Sequence, residues 1–215
     1  MKYKAFLFDF DYTLAFSEPA ILICYRHVFD VFGFYGITDE TIKSTIGIPL
    51  KVSLGFMTGV KDTVELLRMF DEFQSKADEV MASKTELYPS AIPLIDTIIG
   101  MGAIVGIVSN KLRFRIIEVL ERYNITKLMS IIIGIEDIDS HKPSPDGLLL
   151  AMERLGVYKE ETLYIGDSTI DSQTAMNAGV DFVGVTTGTT TKAELLEEPN
   201  VAVISDLSLL IDIIQ

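Results

Sequence analysis

Two aspartates, Asp9 and Asp11, directly follow an apolar run at residues 5–8, near the start of the chain. Apolar runs without alternation are typical of parallel strands that are covered on both faces. Open α/β sheets place their chemistry at the carboxyl ends of such strands. Because side chains alternate along extended backbone, the two carboxylates can point apart and take separate roles. The pair is therefore the first candidate for a catalytic or metal-binding site.

Three further polar features follow later strands of the predicted sheet. Ser109 and Asn110 come directly after the second strand, Lys142 lies in the loop after the third, and Asp167 and Asp171 follow the fourth. The ends of parallel strands face the same way, so these features are expected to meet in one crevice. This convergence carries more weight than any single motif.

The acidic residues of this crevice indicate a metal ion. Asp9, Asp11 and Asp167, with Asp171 nearby, would repel one another unless a cation shared the site. Oxygen ligands without nearby His or Cys favour a hard ion, and Mg²⁺ is the candidate because it uses few carboxylates and bridges to phosphate oxygens. We expect these four aspartates to form the metal site, with Asp171 either as a ligand or behind one.

The remaining polar residues of the crevice are candidates for binding the phosphate of a substrate. Ser109, Asn110 and Lys142 offer a hydroxyl, an amide and an ammonium, which are donors that can hold a phosphoryl group. Taken alone, Ser109 and Asn110 could instead cap a helix that starts near Leu112, and Lys142 could be a solvated lysine. Only their occurrence together with the four aspartates favours a role in binding phosphate.

The elements that position these residues alternate between strand and helix. Strands are predicted at residues 3–8, 104–108, 131–133, 162–165, 182–185 and 201–204, and helices at 112–123, 147–155 and 168–178. This pattern predicts an α/β fold with a doubly wound, mostly parallel, Rossmann-like sheet.

About 90 residues separate the first two strands, far more than a simple crossover needs. A helix is predicted at 19–32, with Ser17 as its N-cap, and another at 63–84. The second carries an apolar stripe wide enough to pack against partner helices: Val64, Leu67, Phe70, Phe73, Ala77, Val80 and Met81. We predict a core domain of residues 1–14 and 85–215, and a helical cap domain of residues 15–84.

Composition excludes several classes of function. The formal net charge of −13 disfavours binding to nucleic acid or to an anionic membrane surface, and 48% hydrophobic residues exclude a disordered chain. The N-terminal apolar run is too short for a signal peptide, and the single cysteine suits a reducing compartment. We therefore expect a cytoplasmic protein, with monomer and homodimer both open.

These residues resemble the haloacid dehalogenase-like hydrolase superfamily over essentially the whole chain. Its four motifs, in order, are similar to the segment 9–14, Ser109, Lys142 and the segment 166–171. The helical insertion after the first motif and the segment 142–146 resemble the phosphoglycolate phosphatase and β-phosphoglucomutase branch.

The resemblance implies roles for individual residues. Asp9 would be the nucleophile that becomes an aspartyl phosphate, and Asp11 would protonate the leaving oxygen and later accept a proton from water. Mg²⁺ would be held by the Asp9 carboxylate, the Asp11 backbone carbonyl and Asp167, with Asp171 in support. Ser109 and Lys142 would bind the transferring phosphoryl group.

One residue departs from the family pattern. Tyr12 stands where the family usually has glycine, and a bulky residue with positive φ would be strained there. We expect Tyr12 either to adopt a different turn or to line the cavity with its ring, because no proposed catalytic group is lost.

The implied function is a magnesium-dependent phosphatase for a small phosphorylated metabolite, with phosphoglycolate as the substrate that the family suggests. A phosphomutase or pyrophosphatase of the same superfamily stays open. From another class, a phospho-accepting signalling domain is the alternative, which would be labelled about once and would not release phosphate repeatedly.

Overall fold

The computed structural model describes residues 2–214. Within that range the strands are β1 (Ala5–Phe8), β2 (Ala15–Phe16), β3 (Glu86–Leu87), β4 (Ile104–Val108), β5 (Ile131–Ile133), β6 (Thr162–Gly166), β7 (Asp181–Val185) and β8 (Ala202–Ile204). The helices are α1 (Glu18–Phe32), α2 (Asp39–Lys43), α3 (Leu50–Thr58), α4 (Thr63–Lys84), α5 (Ala91–Gly100), α6 (Arg113–Arg122), α7 (Asp146–Leu155), α8 (Thr169–Ala178), α9 (Lys192–Glu197) and α10 (Leu210–Ile214).

Six of the strands form one parallel sheet in the order β5-β4-β1-β6-β7-β8. The first strand is therefore central, between β4 and β6. Phe8, its last residue, is level with Ile107 of β4 and Ile165 of β6, so these three strands end at nearly the same height. The residues that follow them are brought together at the middle of one sheet edge, where open α/β sheets bind their ligands.

Helices cover both faces of the sheet, which confirms the predicted α/β class. Phe6 and Phe8 of β1 belong to a buried cluster with residues of α5 and α6, whereas Leu7 between them belongs to a second cluster with α7 and α8. Strand side chains alternate between faces, and in β1 both sets are apolar. This is why the strands read as unbroken apolar runs.

Helices α1 to α4 lie between β1 and β4 in the chain and pack on one another around a third hydrophobic cluster, which includes Phe29, Met69 and Phe73. The chain leaves and re-enters the core through β2 and β3, which pair antiparallel. We call α1 to α4, with their connecting loops, the helical module. The division into domains at residues 14/15 and 84/85 stays a prediction.

Five of the described helices are not predicted by the sequence pattern: α2, α3, α5, α9 and α10. In α5, Pro93 lies in the first turn, where proline is tolerated, and Leu94, Ile95 and Ile98 are buried in the core. In α4 the predicted apolar stripe is buried only in part. Among the described residues, no helix has the length and apolar character needed to cross a membrane.

Candidate active site

Three aspartates meet at the carboxyl ends of β1 and β6. Asp9 follows β1, Asp167 follows β6 and Asp171 lies in the first turn of α8, and one carboxylate oxygen from each lies within 4.8 Å of the other two. All three side chains are buried. We call Asp9, Asp167 and Asp171 the acid cluster. The predicted convergence of the strand ends therefore holds for these three residues.

Local sequence fixes the position of Asp171. The Ser168 hydroxyl and backbone N–H donate to Asp171 Oδ2 at 2.6 and 3.1 Å, and the Asp171 backbone N–H donates to Ser168 Oγ at 3.2 Å. This reciprocal pair is a capping box at the start of α8. Gly166 makes room for it, because a Cβ at that position would overlap the Asp171 side chain.

Lys142 is the cation in contact with the acid cluster. Its Nζ donates to Asp9 Oδ1 at 2.7 Å, to Asp171 Oδ1 at 2.5 Å and to the Tyr164 hydroxyl at 3.0 Å. Tyr164 in turn donates to the backbone carbonyl of Val108. An ammonium has three N–H donors, and protein acceptors engage all three here. Lys142 therefore orients Asp9 as well as neutralising part of its charge.

The buried charges shift the pKa values of the site. Burial, with repulsion from Asp171 and Asp11, raises the pKa of Asp9 to about 6 against the opposing attraction of Lys142. Burial, followed by repulsion from Asp171 and Asp9, raises the pKa of Asp167 well above its usual range. Burial alone would lower the pKa of Lys142, but Asp171 and Asp9 together raise it well above the ordinary lysine value. One ammonium thus does not compensate three carboxylates, and the oxygen-only cluster can accept a hard divalent cation.

Asp11 lies in the same crevice but outside the acid cluster. Its Oδ1 accepts a hydrogen bond from Ser17 Oγ at 2.5 Å, and Lys111 Nζ contacts its two oxygens at 2.9 and 3.1 Å. The sequence predicts Ser17 as the side-chain cap of α1, but Ser17 makes no cap hydrogen bond because its hydroxyl donates to Asp11 instead. Sequence reasoning missed Lys111, although it directly follows Ser109 and Asn110.

Ser109 and Asn110 lie at the end of β4 and are both buried. The Ser109 Oγ accepts a long hydrogen bond of 3.4 Å from the Lys111 backbone. The Asn110 amide is engaged at both ends: Nδ2 donates to the Gly47 carbonyl of the helical module, and Oδ1 accepts from the Lys142 backbone. Asn110 thus joins the module to the catalytic crevice, and its phosphate-binding role stays a prediction.

Tyr12 keeps the left-handed backbone conformation that favours glycine, with φ of 60°. The expected alternative of a different turn is therefore wrong. Its ring is buried, its hydroxyl donates to Glu18 Oε2 at 2.7 Å, and its carbonyl accepts a hydrogen bond from Thr187. Tyr12 connects the loop after β1 to the first residue of α1.

The polar loop at residues 186–191 packs over the acid cluster. A Cβ at Gly188 would overlap the Asp167 carboxylate, so only glycine fits this close approach. Thr13 donates to Asp167 Oδ1 at 3.2 Å from the other side. Asp167 is thereby held between the loops that follow β1 and β7.

The helical module covers the crevice. Buried Arg115 of α6 donates to the backbone and side chain of Gln74 and pairs with Asp78, both on α4. Between module and core lies a cavity of about 430 Å³, whose lining includes Asp11 and Lys111. A ligand in this cavity would contact residues of both parts of the chain.

Comparison with known proteins agrees with this geometry. The family model of haloacid dehalogenase-like hydrolases matches residues 6–185. The chain is 34% identical over 149 residues to phosphoglycolate phosphatase of Shigella boydii, covering 69% of this chain and 57% of that protein. The matched part of this relative is thus less than two thirds of its length.

Solved structures share the fold. The crystal structure of a haloacid dehalogenase-like hydrolase from Bacteroides fragilis has a TM-score of 0.95 and 45% identity, covering 97% of this chain and 100% of the other. A predicted phosphoglycolate phosphatase from Haemophilus somnus has a TM-score of 0.91 at 21% identity, covering 100% and 99%, which shows a shared fold alone. The four motifs, the parallel sheet, the acid cluster and these matches lead to one assignment: the chain belongs to the haloacid dehalogenase-like hydrolase family.

Proposed function

We propose that this protein is a magnesium-dependent phosphatase that hydrolyses a small phosphate monoester through an aspartyl phosphate on Asp9. The observation that carries the proposal is the meeting of Asp9, Asp167 and Asp171 at the centre of the sheet edge, with Lys142 paired to Asp9 and Asp171. Such a site is too negative to bind a phosphate dianion by itself. A phosphorylated substrate therefore has to enter together with a cation.

The residues of the acid cluster fit Mg²⁺. They offer carboxylate oxygens from three positions, and the pKa values of Asp9 and Asp167 are raised first by burial and then by repulsion from neighbouring carboxylates, which a bound cation would offset. Asp9 and Asp167, with the backbone carbonyl of Asp11, would hold the ion, and Asp171 would support it. When bound, Mg²⁺ would supply positive charge that lessens the repulsion between the Asp9 carboxylate and a phosphate.

The chain's own residues then supply the covalent chemistry. A carboxylate oxygen of Asp9 attacks phosphorus, a new O–P bond forms, and the bond from phosphorus to the leaving oxygen breaks. Lys142 keeps Asp9 in one orientation through its hydrogen bond of 2.7 Å. In the second step a water oxygen attacks the same phosphorus, and the Asp9 carboxylate leaves.

Asp11 would move the proton in both steps. It protonates the leaving alkoxide in the first step and accepts a proton from the attacking water in the second, as microscopic reversibility allows. Ser17 and Lys111 fix its orientation through hydrogen bonds. Its position outside the acid cluster leaves it directed toward the cavity in which the leaving group would lie.

Ser109 would donate a hydrogen bond to the phosphoryl group. Its hydroxyl oxygen accepts only a 3.4 Å hydrogen bond from the Lys111 backbone, so its O–H is left to donate to a phosphoryl oxygen. Lys142 would contribute positive charge to the site while its ammonium stays bonded to Asp9, and Asn110 accepts a hydrogen bond from the Lys142 backbone. In phosphoryl transfer, positioning and electrostatics of this kind are the main catalytic effects.

The proposal is tested by measuring release of inorganic phosphate from p-nitrophenyl phosphate and from 2-phosphoglycolate, with and without Mg²⁺. We expect many turnovers per protein molecule with Mg²⁺ and none with Asp9→Asn. The matched control is Asp139→Asn, which makes the same substitution at an exposed loop aspartate and should keep full activity.

Each other reading predicts a different result. A single equivalent of phosphate bound without turnover would indicate a signalling domain. Conversion of a sugar phosphate to its isomer with little free phosphate would indicate a phosphomutase, and selective cleavage of inorganic pyrophosphate would indicate a pyrophosphatase.

We also propose the cytoplasm as the compartment of this protein, which the single, buried Cys24 supports.

A further inference from the structure

The cavity between the helical module and the core carries information about the leaving group. It has a volume of about 430 Å³, and Asp11 and Lys111 form part of its lining. We propose that it binds the leaving alcohol of the substrate, and that this alcohol has an uncharged apolar body larger than glycolate. The inference rests on the proposed phosphatase function and narrows its substrate class.

The lining of the cavity is mainly apolar. It combines Ile21 of α1 with Ile48 from the loop before α3, Phe70 of α4 and Ile135 from the core. Of these, Ile48, Phe70 and Ile135 belong to none of the three hydrophobic clusters that the described residues form. Apolar side chains that line a cavity without packing into a core gain free energy when an apolar ligand displaces water from them.

The cations of the lining are already engaged or lie at the surface. Lys111 is paired with Asp11, and buried Arg115 is paired with Asp78. Lys51 is exposed, and its ammonium lies 5.4 Å from the centre of the Phe70 ring. Among the described residues Lys51 is thus the lysine of the lining that has no ion pair, and because it is exposed, water screens its attraction for a carboxylate. A carboxylate deeper in the cavity would have to displace an existing ion pair in a protein of net charge −13.

Three neutral polar side chains of the lining also have partners. The Tyr25 hydroxyl shares a hydrogen bond of 2.5 Å with Ser53, Thr45 donates to the Ile42 carbonyl at 2.7 Å, and Asn110 donates to Gly47. Among the described residues, Gln74 Nε2 and one ring nitrogen of the exposed His141 are the lining atoms of this kind without a partner. A glycolate carboxylate would exchange its shell of water for these few groups, which is unfavourable.

The size of the cavity agrees with this chemistry. Pockets for drug-sized ligands have volumes of about 300–1,000 Å³. The cavity falls within that range, whereas a two-carbon leaving group would leave most of it unfilled.

The test compares leaving groups of increasing apolar length but similar intrinsic reactivity: ethyl, butyl and hexyl phosphate, with 2-phosphoglycolate as the charged reference. We expect kcat/KM to rise about threefold to fourfold for each added methylene, the gain for removing one methylene from water. We also expect kcat/KM for hexyl phosphate to exceed kcat/KM for 2-phosphoglycolate. Phe70→Ala and Ile48→Ala should flatten the rise, and Phe56→Ala, which changes an exposed phenylalanine of the same module outside the cavity, should not.

The two proposals fail in different ways. If kcat/KM does not depend on chain length, or if 2-phosphoglycolate is the best substrate, the leaving-group inference is overturned and the phosphatase proposal stands. If none of the four esters, nor p-nitrophenyl phosphate, is hydrolysed with Mg²⁺, both are overturned. Circular dichroism of each variant establishes that a flat profile reflects the cavity and not loss of fold.

Discussion

Replacement of Tyr12 separates backbone strain from side-chain anchoring at the turn after β1. Its φ of 60° favours glycine, yet its ring is only 4% exposed and its hydroxyl bonds to Glu18. Tyr12→Gly relieves the strain and removes the anchor. Tyr12→Phe keeps the strain and the ring but removes the hydroxyl.

The structure indicates which effect is larger. A left-handed residue with a Cβ costs about 1–2 kcal/mol, and the greater unfolded-state freedom of glycine takes back about 0.5–1 kcal/mol of that relief. Removal of a buried aromatic ring costs about 3–5 kcal/mol. We therefore expect Tyr12→Gly to lower the free energy of unfolding by about 3 kcal/mol.

For Tyr12→Phe the expected loss is about 1 kcal/mol, the contribution of one hydrogen bond. It is no larger because Glu18 keeps its ion pair with Lys43 at 2.9 Å, so the carboxylate is not left without a partner. For a chain of this length, about 1 kcal/mol corresponds to about 2–4 °C in Tm.

The measurement is urea and thermal unfolding followed by circular dichroism, which suits a chain without tryptophan. Tyr35→Gly, at a tyrosine that is 83% exposed, is the control and should change stability by less than about 1 kcal/mol. If Tyr12→Gly is as stable as the parent or more stable, strain outweighs anchoring and the reasoning fails.

Three further outcomes test the acid cluster. Mg²⁺ at 100 times its Kd should raise the free energy of unfolding by about 2.7 kcal/mol. Asp167→Asn should lose most of this increase, and an equal increase in the variant would show that the ion binds elsewhere. Without metal, the pKa of Asp9 is about 6 in the folded protein against an ordinary value of 3.8, so the folded state binds the proton more tightly. The contribution of this proton to stability is therefore complete below pH 3.8 and is lost as pH rises through 6. The free energy of unfolding of wild type minus that of Asp9→Asn should therefore fall between pH 4 and 7, and a constant difference contradicts the shift. Gly188→Ala should displace Asp167 and lower phosphatase activity. Gly100→Ala is the control, because a Cβ at that position meets open space. Equal activity in the two variants would show that the loop at residues 186–191 moves to accommodate the added methyl group.

The acid cluster was predictable because it depends on topology alone. Asp9 and Asp167 directly follow apolar runs, and Asp171 follows Ser168 at capping-box spacing. Once the runs form adjacent parallel strands, the residues after them must lie close together, whatever the details of packing. The sequence pattern was therefore sufficient for the α/β class and for the edge of the sheet at which these three carboxylates lie. It did not give the strand order, and Asp11, the fourth aspartate of the predicted metal site, lies outside the cluster.

The partners of these carboxylates were not predictable in the same way. In the sequence, Tyr164 is one more apolar residue of a buried strand. In the structure, its hydroxyl accepts a hydrogen bond from Lys142 and donates one to the Val108 carbonyl. Ser17 reads as a helix cap, but its hydroxyl bonds to Asp11. Each choice depends on which acceptor tertiary packing brings within about 3 Å, and spacing along the chain does not contain that information.

Helix α4 shows why the substrate is harder to predict than the reaction. Its apolar stripe was predicted to pack against other helices, and Phe73 and Met81 do so, but Val64 and Leu67 are 60% and 42% exposed and Phe70 lines the cavity. Helical periodicity establishes which residues share a side of the helix; it does not establish whether a neighbouring helix, solvent or a cavity lies opposite. A strand in the middle of a parallel sheet has neighbours on both sides, so its pattern defines its environment. A helix of an inserted module has no such constraint, and the residues that select the leaving group are therefore those whose surroundings depend most on tertiary structure.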